Sequence, residues 1–156
     1  MIEIIRTDSK NVDFLNLVSQ LDEYLKIING SSHDFFNHFN KLDFIKEVVI
    51  LYENNVSVGC GAMKYFEKNT VEIKRMFVND KSRSKGYGTL LLNALIEWAQ
   101  HLGYHRCVLE TSNKMPEAIQ LYTKNNFKII PNYGQYKNIS SSICFEKNIF
   151  TIANNF

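Results

Sequence analysis

A strand, a helix and a second strand follow one another in the middle of the sequence, and this order constrains the fold most. Val71–Val78 alternates with the period of two that a strand requires. A helical pattern then opens at Gly86 and stops at Gly103, and an apolar strand runs from Arg106 to Thr111. Such an order predicts a right-handed crossover between two strands of one sheet, so helices and a sheet must share one core.

The rest of the chain adds a meander and further helices. The predicted elements are strands at Ile2–Ile4, Val48–Tyr52, Val56–Phe66, Phe127–Ile130 and Ser141–Ile149, helices at Asp13–Ile28 and Met115–Asn125, and a short helix or loop over His33–Phe39. Asn54-Asn55 reads as a tight hairpin turn. The sequence therefore predicts an α/β (α+β) fold: a mixed, mostly antiparallel twisted sheet of about six to seven strands flanked by about four helices.

Composition excludes several classes of protein. The chain has 156 residues and a formal charge of +2, so we expect one domain over residues 1–156 and no binding of nucleic acid or membrane surfaces. No apolar run approaches the roughly 20 residues of a membrane helix, and the start of the chain lacks the apolar centre of a signal peptide. Cys60, Cys107 and Cys144 form no CxxC pair, which predicts core thiols in a cytoplasmic protein.

The loop before the central helix has the composition of a phosphate site. Lys81, Arg83 and Lys85 precede Gly86 and Gly88. The first N–H groups of a helix lack intrahelical partners, and glycine lets an anion approach them closely. A P-loop would need GxxxxGK[ST], which is absent here.

A dinucleotide-binding turn would need a glycine at Leu91, and seven residues separate Val78 from Gly86. The alternative to a phosphate site is a basic loop that is simply exposed to solvent.

Two motifs together point to a family. Arg83–Gly88 has the form R-x-x-G-x-G, and Ala118–Phe127 has the form A-x-x-L-Y-x-x-x-N-F. This pair resembles the GNAT superfamily of acyl-CoA-dependent N-acyltransferases, over about Glu47 to Lys147. Asn126 stands where the family usually has glycine, and Asn adopts a left-handed conformation more readily than most residues.

The resemblance implies an acetyl-CoA-dependent N-acetyltransferase without a metal, in which an amine attacks the thioester directly. The strand before the loop would splay from its neighbour at a bulge, and its N–H groups would bind the pantetheine arm and the thioester oxygen. The implied cofactor-binding residues are Met76, Phe77, Val78, Arg83, Ser84, Lys85, Gly86, Tyr87, Gly88, Thr89 and Asn113. Asn113 has a second interpretation, as the N-cap of the following helix.

The resemblance also implies two catalytic residues. Glu72 lies fourteen positions before Gly86, the spacing of the general base in histone-acetylating members. Tyr122 matches the tyrosine that protonates the leaving thiolate. The alternatives are a solvent-facing Glu72 paired with Lys74 or Lys64, and a Tyr122 that packs its ring in the core.

The acceptor is expected to be a small-molecule or peptide amine, and a homodimer is left open. By the resemblance, residues from two regions would border its pocket: Tyr24, His33, Phe36, Tyr133 and Tyr136. An aromatic cluster that closes the core is the alternative. Two other functions stay open: a non-catalytic acyl-CoA-binding or sensing module of the same fold, and a nucleotide-binding oxidoreductase.

Overall fold

The computed structural model describes residues 1–30 and 44–151, which contain seven strands and three α-helices. The strands are β1 (Ile2–Thr7), β2 (Glu47–Glu53), β3 (Val56–Glu67), β4 (Thr70–Val78), β5 (Arg106–Ser112), β6 (Lys128–Ile130) and β7 (Ser142–Asn148), and the helices are α1 (Val12–Asn29), α2 (Tyr87–His101) and α3 (Pro116–Lys124). The predicted fold class is confirmed. The predicted short helix or loop over His33–Phe39 lies outside the described residues.

All seven strands belong to one sheet, in the order β1-β2-β3-β4-β5-β7-β6. The pairs β1–β2, β2–β3, β5–β7 and β6–β7 are antiparallel. The pair β4–β5 is parallel, with Thr70–Glu72 opposite Arg106–Val108, as the strand–helix–strand order requires. The sequence did not predict that β7 enters the sheet between β5 and β6.

Local capping explains where α1 begins and ends. The Asn11 side chain accepts hydrogen bonds from the N–H groups of Asp13 and Phe14, at 2.8 and 3.2 Å. Gly30 closes the helix with a φ of 54°, a conformation that glycine adopts without strain. No helix among residues 1–30 and 44–151 is both long and apolar enough to cross a membrane.

The chain divides into two compact units. Unit 1 comprises Met1–Lys64 and Lys74–Leu95, and unit 2 comprises Tyr65–Ile73 and Ile96–Phe156. The core of unit 1 includes the buried apolar residues Phe14, Leu17, Val18, Leu21, Ile45, Val48, Ile50, Cys60, Ala62 and Phe77. The expectation of a single domain over residues 1–156 stays a prediction.

The three cysteines are unpaired and fully buried, as predicted for core residues. Burial raises the pKa of Cys60 to about 12 and that of Cys107 to about 12, and it also raises the pKa of Cys144. These thiols therefore stay protonated at neutral pH, and a thiol is a far weaker nucleophile than a thiolate.

Candidate active site

In unit 1 the chain leaves β4 through a short, well-defined loop. Asn79 caps a single 3-10 turn at Asp80–Ser82 by accepting from the N–H of Ser82 at 3.1 Å. Ser84 and Gly86 then adopt left-handed φ values of 65° and 81°, and α2 begins one residue later than the sequence indicated. Apart from Gly86 and its two chain neighbours, no atom of residues 1–30 and 44–151 lies within 4 Å of where a Gly86 Cβ would stand. An anion can therefore approach the N–H groups in the first turn of α2 at Gly86.

Arg83 and Lys85 of this loop contact other groups of the protein. The Arg83 Nε donates to the Val78 carbonyl at 2.9 Å, and its Nη1 lies 3.2 Å from the Asp80 Oδ1. The Lys85 Nζ lies 3.2 Å from the Glu53 Oε2. Arg83 and Lys85 therefore already have partners within unit 1, and their contact with a cofactor stays a prediction.

A network centred on Glu53 fixes the start of α2. The Tyr87 hydroxyl donates to the Glu53 carboxylate, to which Lys85 also donates. These two contacts lower the pKa of Glu53, and the bond to the carboxylate raises the pKa of Tyr87. The sequence gives no sign of this role of Glu53, because Glu53 lies 34 positions from Tyr87 and no local pattern links them.

Tyr24, predicted to face the acceptor, packs against this same loop. The Arg83 guanidinium lies over the Tyr24 ring, 4.7 Å from its centroid. A planar guanidinium stacks readily on an aromatic face. Tyr24 therefore contacts a residue of the predicted cofactor loop.

Arg75 departs from the extended conformation of the rest of β4. Its φ of 59° is left-handed, which is uncommon for a residue other than glycine and rarer still inside a strand. The side chain is buried, and its Nη1 lies 3.2 Å from the Asp22 Oδ1 on α1. From Ile73 to Val78 the side chains still alternate between buried and half-buried, as a period of two predicts, and the bulge implied by the family resemblance stays a prediction. Asp22 was missed, since it lies 53 positions away in the chain.

In unit 2, the predicted base accepts a partly buried hydrogen bond. Glu72 is only 6% exposed, and its Oε2 accepts from the Tyr133 hydroxyl at 2.6 Å. The alternative of a solvent-facing Glu72 is therefore wrong. Burial, followed by the charge of Glu72, raises the pKa of Tyr133, so this hydroxyl is the donor.

The remaining residues that were predicted to face the acceptor are Tyr136, His33 and Phe36. Tyr136 is 2% exposed, and its ring lies 5.8 Å from that of Tyr133, as an aromatic cluster would require. His33 and Phe36 lie outside the described residues.

Tyr122 lies on α3 with its ring in the core of unit 2. The ring centroid is 5.8 Å from that of Phe127 and 5.7 Å from that of Phe145. The side chain is buried, and within residues 1–30 and 44–151 its hydroxyl forms no hydrogen bond. Burial, with a smaller effect from Glu110, raises the pKa of Tyr122. Tyr122 therefore keeps its proton and can act as a donor.

Asn113 does not cap α3. The cap residue is Met115, which makes no side-chain cap bond, and Pro116 occupies the first turn as predicted. The Asn113 N–H donates to the Ser141 carbonyl at 2.8 Å, and the residue is exposed. Its N-cap interpretation is wrong, and its contact with a cofactor stays a prediction.

The histidines near the end of α2 do not form a metal site. The His101 Nε2 lies 4.0 Å from the Glu97 Oε1, one helical turn earlier. In the part of the chain that the structure describes, no group of three or more His, Cys, Asp and Glu residues could hold a metal ion.

Comparison with known proteins decides the family. The model of the acetyltransferase (GNAT) family matches residues 17–127. The chain belongs to this family. An IAA acetyltransferase of Azospirillum brasilense is 29% identical over 138 residues, which cover 85% of this chain and 88% of that protein. The matched region spans half the length of an N-acetyltransferase of Schizosaccharomyces pombe, to which the chain is 33% identical over 82 residues.

Solved structures share the GNAT fold. A Klebsiella pneumoniae protein provisionally described as an acyl-CoA N-acyltransferase superposes with a TM-score of 0.81 at 25% identity, covering 96% of this chain and 99% of that one. A Bacillus anthracis protein provisionally described as a streptothricin acetyltransferase, solved with acetyl coenzyme A, gives 0.59 at 26% identity, covering 70% and 64%.

Proposed function

We propose that this GNAT-family protein is an N-acetyltransferase that uses acetyl-CoA and acts on a primary amine. The observation that carries the proposal is the open, left-handed entry to α2 at Gly86, where the first-turn N–H groups of the helix can receive an anion. When bound, acetyl-CoA supplies an acetyl group activated as a thioester. The ligand of the Bacillus anthracis neighbour supports this choice.

The main chain of unit 1 would hold the cofactor. The N–H groups from Ser84 to Thr89 bind the diphosphate, with Arg83 and Lys85 adding charge at the rim of the loop. Beyond the left-handed Arg75, the N–H groups of Met76 to Val78 bind the arm and stabilise negative charge on the acyl oxygen. Each such donor is typically worth about 2.7–4 kcal/mol in acyl transfer.

Two side chains of unit 2 would carry out the proton transfers of the reaction. A lysine-like amine has a pKa near 10.4, so a group must remove its proton before it can attack. Glu72 takes this proton, directly or through water. Tyr122 keeps its own proton at neutral pH and donates it toward the leaving sulphur.

The acceptor is a small-molecule amine or a peptide amine. A formal charge of +2 favours neither strongly anionic acceptors nor DNA-bound tails. The names of the Azospirillum brasilense and Bacillus anthracis relatives support a small molecule. Three buried, unpaired thiols support a cytoplasmic location.

A coenzyme A release assay over panels of amines and peptides tests this function. We expect turnover with at least one acceptor, and a large loss of kcat in Glu72→Gln. Binding of acetyl-CoA without turnover on any acceptor would instead support an acyl-CoA sensor. Binding of NADH with no response to coenzyme A would favour the oxidoreductase.

A further inference from the structure

We propose that Tyr133 is a positioning residue for Glu72, so that the loop between β6 and β7 sets the orientation of the catalytic carboxylate. This inference rests on the proposed role of Glu72 as the base. It also changes the role expected for Tyr133, which the family resemblance placed toward the acceptor. The observation that carries it is the 2.6 Å hydrogen bond from the Tyr133 hydroxyl to the Glu72 Oε2.

The Tyr133 ring is held on two sides. The Phe66 ring meets it edge to face with centroids 4.9 Å apart, and the Tyr136 ring does so at 5.8 Å. Such edge contacts favour one ring orientation. The hydroxyl is therefore presented to Glu72 from a fixed ring.

The loop that carries Tyr133 is itself fixed from within. The Asn132 side-chain nitrogen lies 3.1 Å from the carbonyl oxygens of Tyr136, Ile139 and Ser142. The Tyr136 N–H also donates to the Tyr133 carbonyl at 2.9 Å. These bonds lie entirely within the loop and the start of β7, so they do not depend on a bound acceptor.

A fixed donor matters because a base works only within hydrogen-bond reach of the proton that it accepts. A buried carboxylate gains strongly from a charge-assisted hydrogen bond, which also fixes the plane of its two oxygens. A misplacement of about 1 Å in an active site can cost about a hundredfold in rate. Tyr133 thus acts on the reaction through Glu72.

A double-mutant cycle in the full-length protein tests this inference. We expect Tyr133→Phe to lower kcat by about ten- to one-hundred-fold, the usual weight of a hydrogen bond to a charged group. The KM for acetyl-CoA should change little, because the proposed diphosphate site lies in unit 1. In the Glu72→Gln background the same change should cause almost no further loss, since no base remains to be oriented. Tyr65→Phe, which alters a 65% exposed tyrosine, is the matched control.

The outcomes that would contradict the role of Tyr133 can be told apart from those that would contradict the role of Glu72. An equal fold-loss from Tyr133→Phe in both backgrounds means that Tyr133 only supports the structure, and the inference is then wrong while the base assignment stands. Full activity of Glu72→Gln would show that Glu72 is not the base, and it would contradict the inference about Tyr133 as well. If Tyr133→Phe does not fold, Asn132→Ala takes its place: it loosens the loop, so its kcat loss must also vanish in Glu72→Gln.

Discussion

Burial keeps the Tyr122 phenol protonated and leaves its hydroxyl without a hydrogen bond among the described residues. Tyr122→Phe should therefore cost little stability, because the ring contacts with Phe127 and Phe145 survive. We expect kcat to fall by about a hundredfold, the lower range for a general acid. Kinetics at saturating acetyl-CoA, with a thermal melt on the same sample, check both statements.

The pH dependence follows from the direction of the same shift. A raised pKa means that Tyr122 loses its proton only above the ordinary tyrosine value of about 10. Its ionisation should cause no loss of kcat below that pH. A basic limb near pH 8 that disappears in Tyr122→Phe would contradict the raised pKa of Tyr122.

The three buried cysteines lead to a third prediction at the scale of single residues. With a pKa of about 12, Cys60 and Cys107 carry almost no thiolate at pH 8, and burial also protects Cys144. Ellman's reagent should not react rapidly with any thiol of the native protein. After unfolding, it should detect three thiols. Rapid reaction of a thiol in the native protein would contradict the burial and protonation of these three side chains.

Single residues also show what the sequence can predict. Asn126 adopts a φ of 69°, as expected for an Asn that replaces glycine, and Asn54 and Asn55 form the turn at 51° and 69°. These are local conformations that the residue type itself favours. The pair of Glu72 with Tyr133 joins positions 61 apart, and Arg75 is left-handed although its side chain disfavours that conformation. Only the surrounding fold determines such features.

At the scale of elements, Gly59 and Gly61 of β3 lack side chains that would collide with residues of α2 and β4. A Cβ at Gly59 would stand 2.9 Å from the Leu91 Cδ1 and 3.1 Å from the Phe77 carbonyl oxygen. Gly59→Ala should thus press on the backbone of the proposed cofactor strand. We expect a loss of about 1–3 kcal/mol in unfolding free energy, typical of overpacking, and a higher KM for acetyl-CoA.

Gly61→Ala is the matched control for this change. The atoms nearest to its Cβ would belong to side chains, the Met76 Sδ at 2.6 Å and the Leu95 Cδ1 at 2.8 Å, which can move more easily than a backbone carbonyl. The KM for acetyl-CoA should therefore rise less in Gly61→Ala than in Gly59→Ala. Equal KM values in the two variants would show that the Phe77 backbone does not influence cofactor binding.

The elements themselves were largely predictable, and their order in the sheet was not. Hydrophobic periodicity placed α1 and β4 within about two residues of their bounds, because burial of one face leaves its period in the sequence. The insertion of β7 between β5 and β6 leaves no such pattern. Strand order depends on contacts between distant residues, which a local period does not record.

At the scale of the whole molecule, the expectation of one domain can be tested by unfolding. Trp98 reports on unit 2, whereas far-UV circular dichroism reports on both units. If residues 1–156 form one cooperative domain, urea curves from Trp98 fluorescence and from circular dichroism will coincide. Two separated transitions would show that the units unfold independently.

The most direct test of the central claim is a crystal structure of the protein with coenzyme A. The account predicts diphosphate oxygens within hydrogen-bond distance of the main-chain nitrogens of Gly86 to Thr89, beside the open face at Gly86. It also predicts the arm along Met76 to Val78. A complex in which coenzyme A binds elsewhere, while those nitrogens donate to acceptors of the protein itself, would contradict it.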